Sequence, residues 1–435
     1  MNELIDRALT AGASGHAPGD EPLERTDGRS LACIRFDLGW DSAAAHHVDS
    51  TVATRLDLWR DILPPALEPV IIGQPVGHQA AYRFEPGELI DRAGLADRPR
   101  LRASQFNRGF TGRAPVQPRV GRFYPKGILT GVPGVFSADR TPFRVLDSDG
   151  DGLHVDLAHP LADRPLDLNL TIEGAWAAPD QRGGRCTDVA ELLTANGPGM
   201  QGRAGERPTD FWSDLPFGRL DPRPDAAFYA EPRFVDHIDR IAIAAIGALY
   251  GRLIPAPDDA PAPRLLDLMT SWHSHLPASL AGAQVTGLGM NQAELDANPA
   301  LCERIVHDLN RAPALPFANA SFDAVLCTVS VEYLVEPFAV FRDIARVLKP
   351  GGRVAVTFSN RWFPPKAIAV WEGLHEFERP GLVLEYLLES GRFTDLNTWS
   401  LRGLPRPADD KYAGRLRLSD PVYAVWGTCA EERTA

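Results

Sequence analysis

The chain has 435 residues, too many for one ordinary domain, and its 44% hydrophobic content is that of a globular protein. A net charge of −12 excludes general nucleic-acid binding, which needs clustered basic surface. Five scattered cysteines (Cys33, Cys186, Cys302, Cys327, Cys429) without a CxxC pair argue against a disulfide framework or a zinc finger.

In chain order, residues 1–29 are polar, rich in Gly and Pro, and read as a loose arm without the charge and apolar pattern of a signal peptide. From 30 to 178 short β patterns dominate. "LACIRFDL" and "LDLNLTIEGAW" alternate apolar and polar residues with period two. Residues 179–226 hold many Gly, Pro, Asp and Arg around one short helical piece, "TDVAELL", and read as a linker. From 227 to 435 the pattern changes. "FVDHIDRIAIAAIGALYGRLI" has helical spacing, and its apolar run, Ile241 to Tyr250, is too short to span a bilayer. Apolar strand candidates follow at 264–269, 283–288, 303–307, 322–328 and 353–358. Between the last two, "PFAVFRDIARVL" places Phe338, Phe341, Ile344, Ala345 and Leu348 on one helical face. Strands alternating with helices predict a doubly wound parallel sheet, so the fold class is α/β plus a β-rich first half.

The stretch Leu315-Pro316-Phe317, Ser321-Phe322-Asp323 and Arg346-Val347-Leu348-Lys349-Pro350-Gly351-Gly352 resembles class I S-adenosylmethionine (SAM) methyltransferases, and the likeness extends over about 230–400. Asp267 to His275, "DLMTSWHSH", is similar to a subgroup whose first motif reads D-x-x-S-S-W-x-S-H, in place of the usual glycine-rich turn. The resemblance implies a Rossmann-like lobe with SAM as cofactor. It implies cofactor contacts from Asp267, Thr270, Ser271 and Trp272 in the first motif, and from Asp308 and Leu309 at the adenine. The acid that usually meets the ribose falls at Gly289, and Asn291 is the candidate to replace part of it. Trp272 is placed to hold the sulfonium by a cation–π contact. On the acceptor side the fold would bring Tyr229, His237, Glu332, Tyr333, Asn360 and Arg361. Of these, His237 is the candidate general base and Tyr333 a second catalytic candidate. His273 and His275 raise a metal reading with Cys302, His307 or His237, but four ligands at a recognisable spacing are missing, so no metal is expected.

In the first half, "LEPVIIGQPVG" at 67–77 and "PFRVLDSDGDGLHVDLAHPLADRPLDLNLTIEGA" at 142–175 resemble FKBP-type prolyl isomerases of the SlyD-like branch, with a flap inserted near 95–150. The family's Ala-Tyr-Gly loop is replaced by Glu85-Pro86-Gly87-Glu88-Leu89. The aromatic candidates for its cleft are Phe36, Trp59 and Phe143, and the lobe is expected to bind a peptide or partner, or simply to brace the other lobe, with weak or absent isomerase activity. Asp147 to Gly152 imitates the first half of an EF-hand loop, but Ala158 stands where the bidentate Glu is needed, which predicts an acidic hairpin turn.

The expectation is a cytoplasmic SAM-dependent methyltransferase carrying an FKBP-like lobe. Its substrate would be a small molecule or a protein, with no nucleic-acid or membrane partner. The alternative is a non-catalytic chaperone or scaffold with a degenerate methyltransferase fold.

Overall fold

The computed structural model describes residues 21–431 apart from 93, 95–96, 111–114, 179, 181–182, 196–202, 204, 206, 213–214 and 256–260. Residues 1–20 of the expected arm lie outside the described residues. Residues 21–29 are not loose: Leu23 N donates to Ala175 O (2.9 Å), Gly73 N donates to Thr26 O (3.1 Å), and Thr26 is buried.

In the first half the elements are β1 (Leu31–Asp41), β2 (His46–Asp57), the short helix α1 (Glu68–Ile71), β3 (Gln79–Phe84), β4 (Arg100–Arg102), β5 (Phe123–Pro125), β6 (Pro142–Ser148), β7 (Gly152–Asp156) and β8 (Leu166–Trp176). β2, β1, β8 and β3 pair antiparallel in that order, and β4, β7, β6 and β5 form a separate four-stranded sheet inserted between β3 and β8. The expected hairpin at 147–152 forms between β6 and β7, with Asp149 Oδ1 accepting from Gly152 N (2.9 Å). Period-two alternation puts Ile34, Phe36 and Leu38 into one core, while the inserted sheet has its own core around Phe106, Tyr124, Phe143 and Val155.

After the short helices α2 (Val189–Thr194) and α3 (Asp225–Phe228), the second half runs α4 (Arg240–Leu253), β9 (Arg264–Leu268), β10 (Gln284–Gly289), α5 (Gln292–Ala297), β11 (Leu301–Val306), β12 (Phe322–Thr328), α6 (Pro337–Val347), β13 (Leu348–Phe358), α7 (Ala369–Glu372), α8 (Glu378–Ser390), β14 (Phe393–Arg402) and β15 (Val422–Cys429). The strand order β11-β10-β9-β12-β13-β15-β14 is parallel up to β13, and β15 alone runs antiparallel, between β13 and β14. Both faces are covered, which explains the continuous apolar strands. Leu265, Val285 and Leu326 pack under α4, while Leu266, Leu268 and Val325 pack under α6 and α8.

The expected helix over 234–254 starts only at Arg240. Asp239 caps it, its carboxylate accepting from Ile241 N (2.9 Å) and Ala242 N (3.1 Å). Residues 229–237 are thereby left as a loop over the ends of the parallel strands.

The two halves share one eleven-stranded sheet, because β14 pairs in parallel with β2, Asn397 opposite His46 and Arg402 opposite Thr51. Across this seam Arg402 Nη2 donates to the buried Asp49 (2.6 Å), and His47 Nδ1 meets Thr398 Oγ1 (2.7 Å). The inserted sheet grips α8 as well. Glu378 is fully buried and accepts from Arg122 Nε (2.8 Å) and Phe123 N (3.0 Å), and Phe377 packs into the core of the first half. No described helix is long and apolar enough to cross a membrane.

Candidate functional site

The strand order reverses between β9 and β12, leaving a crevice at the carboxyl ends of the parallel strands, where ligands bind in open α/β sheets. A cavity lies there, partly open to solvent. Of the residues singled out in the sequence, His237, Asp267, Thr270, Ser271, Trp272, Asp308, Leu309 and Tyr333 all line it.

The turn after β9 has no glycine, and the backbone takes the glycine-like conformation regardless. Met269 has φ +58° and His275 φ +54°, and Val329, facing them after β12, has φ +44°. A left-handed non-glycine residue costs about 1–3 kcal/mol, so three such residues around one cavity point to a turn shaped for a ligand. The close approach that glycine permits has moved to the next strand. Thr270 N donates to Leu288 O (2.9 Å), and a Cβ on Gly289 would lie 2.3 Å from Thr270 O. The ribose acid expected at 289 therefore cannot exist in this chain. An aspartate introduced there would collide with the turn.

The turn is held by side chains. Thr270 Oγ1 donates to Asp267 Oδ2 (2.5 Å), Ser271 Oγ donates to Glu294 Oε2 (2.6 Å), and Asn298 Nδ2 donates to Ser271 O and Ser274 Oγ (both 2.9 Å). Burial pushes the Asp267 carboxyl up to about 7, partly countered by the hydroxyls of Ser274 and Thr270. Trp272 Nε1 donates to Val235 O (3.4 Å), and its ring forms part of the wall without closing the cavity. At the end of β11, Asp308 Oδ1 accepts from Asn310 N (3.0 Å), with the buried Leu309 beside it.

Asn291 is a correction. It does not line the cavity: its Oδ1 caps α5 by accepting from Glu294 N (3.2 Å), and its Nδ2 donates to Tyr229 O (2.9 Å) and Ala230 O (3.0 Å). With both ends of its amide engaged, it anchors the 229–237 loop.

That loop supplies the outer wall. His237 packs edge-on against Phe363 (5.0 Å, 80°), and burial, then the nearby Arg233, holds its imidazole below the usual histidine range, hence neutral at pH 7. Tyr333 OH accepts from Phe363 N (2.9 Å), and burial holds both Tyr229 and Tyr333 above the usual phenol range. Asn310 fixes Tyr333 through its backbone carbonyl (2.8 Å) and also donates to Asp225 Oδ2 (2.8 Å), which is paired with Arg219 and the buried Lys366. Three expected acceptor-side residues lie elsewhere. Glu332 is buried beside Tyr333 and outside the cavity wall, Asn360 donates to Glu376 (3.3 Å), and Arg361 sits near Asp420 (3.5 Å) and over Tyr412. His273 and His275 pack edge-to-face (4.3 Å, 68°), and among the described residues no group of three or more His, Cys, Asp and Glu is gathered to hold a metal ion. Glu294, Arg233, Asn310 and Asp225 were missed from the sequence. Only Glu294 had a signal, the Asn-x-x-Glu spacing of a helix start.

Residues 271–356 match the family described as a methyltransferase domain. The demethylmenaquinone methyltransferase of Renibacterium salmoninarum is 30% identical over 152 residues, 34% of this chain and 64% of that protein. O-methyltransferase resE of Aspergillus sclerotiorum is 29% identical over 143 residues, 30% of this chain and 53% of that protein. Among solved structures, the [4+2]-cyclase SpnF aligns with 48% of this chain and 92% of its own, at 17% identity and a TM-score of 0.31. The chain spans about half the length of the curated relatives it matches. Its second half carries a methyltransferase domain of the SAM-dependent kind, with S-adenosylmethionine as cofactor.

Proposed function

We propose that the protein transfers a methyl group from SAM to a hydroxyl or amine of a substrate bound under the 229–237 loop. One observation carries this reading: the cofactor-side residues Thr270, Ser271, Asp308 and Leu309 and the acceptor-side residues His237 and Tyr333 face one cavity at the reversal of strand order. The residues fit the cofactor's chemistry, with the half-buried turn 269–272 lining the cavity for its amino-acid end, Trp272 for a cation and Asp308 for its base. When bound, SAM supplies a methyl group already activated on a sulfonium, so the protein's task is positioning. His237, neutral at pH 7, accepts the proton the acceptor loses. Tyr333, with its hydroxyl already accepting from Phe363 N, and Phe363 itself form an apolar wall that orients the acceptor and limits water.

The test is calorimetry with SAM and S-adenosylhomocysteine on the full chain. A dissociation constant of tens of micromolar, about −6 kcal/mol, is expected. His237→Gln should leave that value within about twofold while slowing release of S-adenosylhomocysteine in the presence of a small-molecule cell extract by about 10²–10⁴. No heat and no thermal shift at millimolar ligand would refute donor binding.

We read 30–178 as an FKBP-like lobe that braces the methyltransferase lobe at 227–435 across the 179–226 segment. Support comes from the antiparallel β2-β1-β8-β3 set with α1 between β2 and β3, and from the sheet inserted before β8. A bracing role with little isomerase activity is favoured because the three aromatic candidates do not share a cleft. Phe36 lies in the main core, Phe143 lies in the core of the inserted sheet, and Trp59 lies beneath Arg29 (4.8 Å).

A further inference from the structure

The ribose of an adenosyl cofactor presents two vicinal hydroxyls, and each one that gives up water on binding needs an acceptor. The end of β10 cannot provide one through a side chain, because Gly289 has no room for a Cβ. Among the described residues, five carboxylates line the cavity: Asp225, Asp236, Asp267, Glu294 and Asp308. Asp225 is consumed by Arg219, Lys366 and Asn310, and Asp236 faces His273 (3.2 Å) at the exposed rim. Asp267 takes the hydroxyl of Thr270 at the end of β9, and Asp308 stands one strand further on, at the end of β11.

Glu294 remains. It is the third residue of α5, the helix that leaves β10, and the Cδ2 of its neighbour Leu295 is 3.0 Å from the Cβ position of Gly289. A glutamate at this point of a helix ordinarily reaches back to the capping residue's N–H. Here the carboxylate is held instead by Arg233 N on Oε1 and Ser271 Oγ on Oε2, both at 2.6 Å. A carboxylate offers about four acceptor sites, so each oxygen retains one after these two bonds. The residue is buried yet lines the cavity, fixed between the donor turn and the 229–237 loop.

We infer that Glu294 accepts the ribose hydroxyls of the cofactor, doing from a helix what no side chain at the end of β10 can do. The inference rests on the SAM-binding reading above.

The experiment is calorimetric titration of the full chain with S-adenosylhomocysteine and with its 2′-deoxy and 3′-deoxy analogues. The parent protein should prefer the parent ligand by about tenfold or more over each analogue. In Glu294→Gln that preference should fall to within about twofold, and Glu294→Asp, which keeps the charge but is one methylene shorter, should show the same collapse. Asp308→Asn should weaken all three ligands equally and leave the preference intact. A merely structural role for Glu294 would weaken the three ligands together, and that result would overturn the inference. So would a parent protein that binds S-adenosylhomocysteine and both analogues equally. A parent protein that binds none of them would instead overturn the SAM reading, and this inference with it.

Discussion

The two ends of the eleven-stranded sheet treat their interior space differently. At the parallel end, β9 to β12 stop short under the 229–237 loop, and the space beyond them is a cavity walled by buried polar groups. At the antiparallel end the aromatic interior is filled, with Phe36 and Phe123 buried and Phe377 packed edge-on to Phe123 (5.6 Å) from the other half of the chain. The difference follows from strand direction. Parallel strands all end on one side, so their turns can jointly frame a site, whereas hairpin-linked strands alternate in direction and close over a core. One half has the geometry of chemistry and the other that of a clamp, and α8 is where they meet.

The largest effect expected is at Gly289, which keeps the parallel end open. Gly289→Asp forces a side chain into Thr270 O and should cost more than about 4 kcal/mol, with loss of S-adenosylhomocysteine binding. Urea unfolding and calorimetry measure both, and a stable variant that binds more tightly would contradict the packing of β9 against β10.

Next is the clamp. Arg122→Met leaves Glu378 buried without its cation and should destabilise the protein by about 3–5 kcal/mol. Adding Glu378→Leu should restore much of that. The denaturation curve should remain a single transition, because the sheet is continuous through β2 and β14. Two separated transitions would mean that the halves are independent and the contrast is only one of position.

The smallest effect separates buried charge at the two ends. Asp267 titrates at about 7 in the folded protein, raised by burial from the usual 3.8. A raised folded pKa gives stability that is fully present below pH 4 and is lost as pH rises through 7. Asp267→Asn should therefore match the parent near pH 4 and be more stable by about 1–4 kcal/mol at pH 8, measured by thermal unfolding across pH. Equal stability at both pH values would show that the Thr270 and Ser274 hydroxyls fully compensate the burial. The clamp's Glu378 behaves oppositely. Arg122 and the other groups facing it outweigh burial and hold its carboxyl below the usual range.

Much of this could be read along the chain. Period-two and helical patterns located β1, β8, β9 to β13, α4 and α6, because local periodicity is a property of sequence alone. The motif residues Asp267 to Trp272 and Asp308-Leu309 were also legible, since turns at strand ends are short and local. Tertiary structure decided what depends on contacts between distant segments. The pairing of β14 with β2 joins residues about 350 positions apart, and no local pattern encodes it. The roles of Asn291 and Glu294 depend on where the 229–237 loop crosses, which was fixed when Asp239 capped α4 five residues after the helical pattern began. The missing glycine of the first turn has the same physical reason. Close approach is a property of two backbones, and the small residue that allows it stands on the neighbouring strand, at Gly289.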